Sequence, residues 1–344
     1  MNIQLSDALK LLSKEKWDKA RLIQLVDQIH GRRVLVVGDV GLDRYTIGSV
    51  DRISPEAPVP ILWVREETFR LGLAANVADN VGSLGGKALL LGVVGKDRTA
   101  EDFEKLLKSQ NLETGHLVVD PSRRTVLKER LVGERQQLLR VDYESVGRIS
   151  DEVEKKVIAR FAELVPSADV VILEDYAKGM IHSRLASEIL AIASKNKKTV
   201  LVDPNRRTPI ETYLGAHVIK PNRKEAETLS GVLITDHDSL MEAGKRILER
   251  AQAKNVMITL GQDGMAIFSS AEKKAVLIPT NASEVYDISG AGDTVIAVLA
   301  MSLAAGATLE EAAIMGNIAA GIVVAKFGTA TTNSDEMKTA IARF

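Results

Sequence analysis

Short apolar segments recur along this chain with amphipathic stretches between them, and that alternation limits the fold more than any other feature. The strand candidates are Arg33–Val37, Ala88–Val94, Asp169–Leu173, Thr199–Val202, His217–Ile219 and Val256–Leu260. Helical spacing fills the gaps, as over Arg184–Lys195 and Ser239–Ala253. Strands this apolar are buried on both faces, and parallel strands need helical crossovers. The pattern therefore predicts an α/β fold with a mainly parallel central sheet covered on both sides. A length of 344 residues suits one large α/β domain or two smaller ones. Ahead of the first strand, Leu9, Leu12, Leu22, Leu25, Val26 and Ile29 fall near the helical period, which predicts two short helices in an extension over residues 1–31.

Two regions break the rhythm. Residues 44–70 hold Ile53-Ser54-Pro55-Glu56-Ala57-Pro58-Val59-Pro60 followed by Ile61–Val64, and residues 123–143 alternate apolar and charged positions, as in Val126, Lys128, Arg130 and Val132. Alternation of this kind marks strands with one exposed face, so a small second sheet is expected beside the main one. Met265–Phe268 and Ala275–Ile278, joined by Ser269–Lys274, predict an antiparallel hairpin.

Charge and composition exclude several classes. Lys and Arg number 45 against 46 Asp and Glu, a net charge of −1, which argues against a general nucleic-acid or membrane-surface binder. With no cysteine, disulfides and thiolate metal sites are ruled out. The N-terminus lacks a secretory pattern and no stretch approaches 18 uninterrupted apolar residues, so a cytoplasmic protein is expected.

Four segments place polar groups where a parallel sheet binds ligands, beyond the carboxyl ends of its strands. In Gly38-Asp39-Val40-Gly41-Leu42-Asp43, the carboxylates of Asp39 and Asp43 suit sugar hydroxyls, although Asp39 could equally cap a turn. In Gly72-Leu73-Ala74-Ala75-Asn76, small residues allow a ligand close and Asn76 offers a donor and an acceptor; a plain small-residue helix start fits as well. Asn222-Arg223-Lys224-Glu225 sets an amide and a carboxylate one helical turn apart. Through water, Asn222 and Glu225 could hold Mg²⁺, and the competing reading is a capping box.

The fourth segment is the octet Asp287-Ile288-Ser289-Gly290-Ala291-Gly292-Asp293-Thr294, which opens an apolar helix over Val295–Ala305. Gly290 and Gly292 permit a tight turn that exposes backbone N–H groups at a helix N-terminus, where an anion is favoured. The amides of Ala291, Gly292 and Asp293 are the candidate anion hole, and Asp293 the candidate general base. Asp287 is placed to help position a cation or water. An anion cradle beside a carboxylate base is suited to moving a phosphoryl group onto an alcohol. An ordinary Gly-rich turn would have the same local sequence. A dinucleotide enzyme is disfavoured, because no G-x-G-x-x-G follows the first strand. Downstream, Asn317, Gly321, Lys326, Gly328 and Thr329 lie on a small-residue helix and its exit, which can lie flat against an adenine ring; plain packing is the competing reading for most of it.

Taken in this order, the early Gly-Asp, the Asn-x-x-Glu and the closing Gly-Ala-Gly-Asp resemble the ribokinase-like carbohydrate kinases over residues 32–343. The resemblance implies a three-layer α/β/α kinase domain over 32–344 with a small β-sheet lid from about 44–70 and 123–143. It also implies ATP and Mg²⁺ as cofactors, nucleotide contacts at Thr259, Gly261, Gly264, Asn317 and Gly321, and a homodimer through the lid strands. Within that family, Leu42-Asp43-Arg44-Tyr45, residues 52–60, Asp175-Tyr176-Ala177-Lys178-Gly179 and Val202-Asp203-Pro204 look like the heptose 7-phosphate kinases. These phosphorylate D-glycero-D-manno-heptose 7-phosphate at C1 to the 1,7-bisphosphate, for ADP-heptose and the lipopolysaccharide core. By this resemblance Asp39, Asp43, Arg44, Asn76, Lys128, Arg130, Arg140, Asp175 and Lys178 bind the sugar phosphate. A phosphate needs cationic partners, and each of these basic residues could otherwise be a surface charge. Such kinases are often joined to a nucleotidyltransferase. The His-x-Gly-His motif of that domain does not occur, so a kinase without it is expected.

Three positions depart from the pattern. Leu73 stands where a second glycine is usual, Asn205-Arg206 where Lys-Gly is usual, and Gly41 where Met is usual. Leu73 could stiffen the lid hinge or crowd the sugar. These departures leave open another sugar, sugar phosphate or nucleoside as acceptor. A catalytically silent sugar- or nucleotide-binding relative is disfavoured by the intact Asp293, Gly290, Gly292, Asn222 and Glu225.

Overall fold

The structure is a computed structural model that describes residues 17–134, 136–145, 147–271, 275–280, 286–326 and 328–343. The helix expected around Leu9 and Leu12, and residues 272–274 of the hairpin link, lie outside the described residues. The chain opens with α1 (Lys19–Gln28), β1 (Arg33–Gly38), β2 (Val40–Ile53), β3 (Pro60–Leu73) and α2 (Ala74–Ser83). Next come β4 (Lys87–Leu91), β5 (Val93–Val94), α3 (Arg98–Ser109), β6 (Val118–Val119), β7 (Val126–Gly133) and β8 (Gln136–Tyr143). The middle holds α4 (Asp151–Leu164), β9 (Val170–Glu174), α5 (Ser183–Lys195), β10 (Thr199–Asp203), β11 (Val218–Ile219), α6 (Arg223–Ser230) and α7 (His237–Ala251). The last part is β12 (Asn255–Thr259), β13 (Met265–Ser269), β14 (Val276–Ile278), α8 (Ala291–Ala304), α9 (Leu309–Val324) and α10 (Ser334–Arg343).

An eight-stranded sheet in the order β14-β13-β12-β11-β10-β9-β1-β4 forms the middle layer. It is parallel from β12 to β4, and the β13–β14 hairpin adds antiparallel strands at one edge. Strand β1 shows why the sheet is buried twice. Val34 and Val36 join a core with α1, α2, α3, α8, α9 and α10, while Leu35 and Val37 join a second core with α4 to α7. Each such side chain contributes about 1.5–3 kcal/mol on burial. The segment expected as one strand over Ala88–Val94 divides at Gly92, where a Cβ would meet Val40 Cγ1 at 2.4 Å. Helix α1 buries Leu22, Leu25 and Val26 in the first core, so it packs as part of that layer.

The lid is a four-stranded sheet in the order β3-β2-β7-β8. It grows directly from the main sheet. Strand β1 ends at Gly38, β2 begins at Val40, and Asp39 is the junction. On the return, Leu73 pairs with Val40 and Ala74 N–H donates to the Asp39 carbonyl at 3.0 Å. The lid strands begin and end within a few residues of the expected regions. Among the described residues no helix is long and apolar enough to cross a membrane.

Candidate active site

The octet forms the turn into α8, which starts at Ala291, one turn earlier than expected. Gly290 is its N-cap at φ +80°, and a Cβ there would lie 2.9 Å from Asn76 Nδ2, so both backbone and space require glycine. The Ala291 N–H turns back onto the Ile288 carbonyl at 3.3 Å. That contact corrects the three-amide anion hole. Gly292 and Asp293 are the first-turn N–H groups left without an acceptor inside the helix.

Asp293 stands at the centre. Its Oδ2 accepts from Asn76 Nδ2 at 2.6 Å and its Oδ1 from the Tyr176 hydroxyl at 2.8 Å. Burial raises its pKa, and Asn76, Tyr176, Lys220 and Lys128 pull it back. The result is an oriented carboxylate more basic than a surface one, as a general base requires. Tyr176 remains a hydroxyl donor, because burial and the Asp293 charge push its pKa well up.

Three residues near Asp293 were not singled out as site residues: Glu174 and Lys220, which carried no motif signal, and Asp203, which was read only as part of Val202-Asp203-Pro204. Glu174 ends β9 and Asp203 ends β10, paired side by side in the parallel ladder. Lys220 follows β11, is 3% exposed, and puts Nζ 2.8 Å from Asp203 Oδ2. Burial pushes the Asp203 carboxyl up to about 7 despite that ammonium. A sequence reader could have reached all three by asking which charged residues end apolar strands.

The Asn222-x-x-Glu225 segment is a capping box on α6. Glu225 N–H donates to Asn222 Oδ1 at 3.0 Å, and Asn222 N–H donates to Glu225 Oε2 at 2.8 Å. The helix cap is therefore present, worth about 1 kcal/mol. One Glu225 oxygen stays clear of it, and burial raises the pKa of this carboxyl. Thr259 bridges to Asn222 at the end of β12, and Gly261 and Gly264 shape the turn that follows. Asp287 spends its oxygens on the Ser289 and Gly328 amides at 2.9 and 3.0 Å, so it ties the start of the octet to the segment after α9 rather than holding a cation. Asn317 is buried and donates to the Pro279 carbonyl at 2.6 Å. Gly321 lies inside α9.

On the lid, strand alternation sorts the predicted residues. Asp43 pairs with Arg70 on one neighbour and Lys128 on the other, and Tyr45 pairs with Arg130, which pairs with Arg140. These side chains share one face. Arg130 donates to Asp43 Oδ1 at 2.8 Å, and Arg70 and Arg130 both lie over the Tyr45 ring, at 5.5 and 5.2 Å. Arg140 pairs with Asp142 on its own strand at 2.8 Å. Lys128 lies over the Tyr176 ring at 6.0 Å; burial, with Lys178, Arg130 and Arg140, lowers its pKa. Arg70 was missed by the sequence reading, although its place two residues before Gly72 put it on the sugar side.

Arg44 is a correction. It points to the opposite face, where it pairs with Glu129 at 2.5 Å and Glu129 also accepts from Thr46. Asp175 is a second one. It accepts from the Tyr213 hydroxyl and the Ala177 N–H, both at 2.6 Å, and is 4% exposed, so it supports the loop carrying Tyr176 and Lys178. Asp39 accepts from the Lys178 and Met180 amides at 2.9 and 3.1 Å, tying the lid junction to the same loop. Lys178 Nζ pairs with Glu144 at 2.7 Å.

A lid sheet facing a helix-borne carboxylate base, with free amides beside it, defines a sugar phosphotransferase. Residues 7–336 match the pfkB family carbohydrate kinases, and the chain belongs to that family. It is 46% identical over 307 residues, 89% of its length, to the bifunctional protein HldE of Desulfatibacillum aliphaticivorans, of which it covers 62%. It is 40% identical over 322 residues, 94% of its length, to HldE of Paramagnetospirillum magneticum (strain ATCC 700264 / AMB-1), of which it covers 66%. The chain thus spans just under two thirds of these relatives. In fold it is similar to Arabidopsis thaliana ribokinase complexed with ribose and ATP, with a TM-score of 0.72 at 18% identity over 91% of this chain and 99% of that one. It is also similar to phosphofructokinase-2 from Escherichia coli in complex with potassium, with a TM-score of 0.74 at 21% identity over the same shares, 91% and 99%. The expected α/β ribokinase-like fold and ATP-dependent sugar kinase class are borne out.

Proposed function

We propose that this kinase phosphorylates D-glycero-D-manno-heptose 7-phosphate at C1, using ATP with Mg²⁺, in ADP-heptose synthesis. The observation that carries the reading is Lys128: Arg130, Arg140 and Lys178 around it already face Asp43, Asp142 and Glu144, whereas half-buried Lys128 has no ion-pair partner among the described residues. An ammonium left this way calls for an anion, and an acceptor that already carries a phosphate supplies one. The sequence resemblance to heptose 7-phosphate kinases and the identity to HldE proteins support the same acceptor.

In this mechanism Asp293, oriented by Asn76 and Tyr176, takes the proton of the anomeric hydroxyl as its oxygen attacks the γ-phosphorus, and the bond from that phosphorus to the β,γ-bridging oxygen breaks to release ADP. The amides of Gly292 and Asp293 and the Lys220 ammonium offset charge on the transferring group. Mg²⁺, when bound, supplies charge neutralisation on the phosphates. Asp43 and Asn76 orient the sugar, and the lid excludes water. Lid strands also leave Ile53, Trp63, Val64 and Leu139 exposed, which fits a homodimer joined through the lids. A panel of sugars and sugar phosphates, read by ADP release and by phosphorus NMR of the product, tests the acceptor. A new anomeric phosphate on the heptose 7-phosphate supports the reading. Turnover of a different sugar with that heptose inert discards it in favour of an acceptor selected by Leu73 and Asn205.

A further inference from the structure

We propose that Glu174, Asp203 and Asp293 form a divalent-cation site of the protein itself, filled before any nucleotide binds. One carboxylate oxygen from each lies within 4.8 Å of the other two. The arrangement follows from the fold. Glu174 and Asp203 are partners at the carboxyl ends of adjacent parallel strands, and Asp293 reaches them from the first turn of α8.

Glu174 supplies an independent observation. It is 1% exposed, and its Oε1 is buried without a hydrogen-bond partner. A buried carboxylate oxygen is retained unpaired only at a cost, and a cation in the cluster removes that cost. Charge points the same way: burial raises the pKa of all three carboxyls, their mutual repulsion adds to it, and the Lys220 ammonium at Asp203 does not cancel it.

The donors are all oxygens, which selects a hard ion such as Mg²⁺ or Mn²⁺. Oxygens about 2.1 Å from an octahedral Mg²⁺ stand about 3.0 Å apart when cis and about 4.2 Å apart when trans, so the three carboxylates draw together as the ion binds. Glu225 contributes no atom to this set, so the site differs from a water-mediated one at Asn222 and Glu225. Asp293 already accepts from Asn76 and Tyr176 and is the ligand most readily released to a substrate hydroxyl, leaving the ion on Glu174 and Asp203. The site does not depend on which sugar is the acceptor.

The test is Mn²⁺ titration of the nucleotide-free full chain, read by paramagnetic resonance of the free ion. One saturable site is expected, displaced by Mg²⁺. Glu174→Gln should weaken it by on the order of tenfold or more, while Glu225→Gln leaves it within about twofold. A metal-induced rise in the melting temperature of the unaltered protein, without nucleotide, gives a second readout that needs no variant. The proposal is overturned if Mn²⁺ binds only with ATP, if Glu174→Gln binds as tightly as the unaltered chain, or if Glu225→Gln alone abolishes binding.

Discussion

The Tyr176 hydroxyl donates to Asp293 Oδ1 at 2.8 Å, joining the loop after β9 to the first turn of α8. This bond stabilises the charged carboxylate and so holds its pKa down against burial. Removing a hydrogen bond to a charged group costs about 1.5–3 kcal/mol, or roughly 1–2 pH units. Tyr176→Phe should move the acidic limb of the kcat profile upward by that amount, because a larger share of the base is then protonated at a given pH. A pH–rate series checks this, and an unmoved limb would remove Tyr176 from the account.

Asp39 makes stability depend on pH. Burial pushes its carboxyl up to about 6, against the Lys178 and Met180 amides. Its raised folded-state pKa means that the folded protein holds a proton longer than the unfolded chain. The associated stability is full below about pH 4 and is lost as pH rises through 6, at most about 3 kcal/mol. Asp39→Asn should flatten this part of the profile. Urea midpoints between pH 4 and 7 for both proteins decide it; parallel profiles would mean that Asp39 does not titrate this way.

The two faces of the lid should respond differently. Arg130→Met removes a cation beside Lys128 and should raise KM for a phosphorylated acceptor by tenfold or more, about 1.4 kcal/mol. Arg44→Met should leave that KM alone and lower stability, since it strips Glu129 of its partner on the other face. Steady-state kinetics with thermal melts separate the effects. A large KM change in Arg44→Met would return that residue to the sugar site.

Leu73 tests the hinge. At φ +58° and ψ −139° it occupies backbone space that glycine favours, a strain of about 1–3 kcal/mol. Its buried side chain contributes a similar amount. Leu73→Gly should therefore be nearly neutral in a denaturant titration. Leu71→Gly, at an equally buried position whose backbone is not left-handed, should cost roughly 3 kcal/mol or more. Equal losses would mean that Leu73 is not strained.

The sheet was legible because strands buried on both faces are apolar, as in residues 34–37, and the octet because it occurs together with the early Gly-Asp and the Asn-x-x-Glu, each at a strand end, where alone it would read as an ordinary turn. Arg44 was misassigned because adjacent lid residues alternate faces, and its motif neighbour Asp43 is the one turned to the site. Asp175 sits in a motif whose sequence does not reveal that Tyr213, 38 residues later, claims its carboxylate. Lys220, Glu174 and Asp203 come from three strand ends far apart in sequence, and only the parallel register brings them together.

The most direct test of the central claim is ADP release by the unaltered protein and by Asp293→Asn, with Mg-ATP, with and without D-glycero-D-manno-heptose 7-phosphate. The account predicts strong stimulation by the heptose phosphate and its loss by several orders of magnitude in a variant that still folds and binds ATP. Stimulation that survives Asp293→Asn, or no stimulation in the unaltered protein, would contradict it.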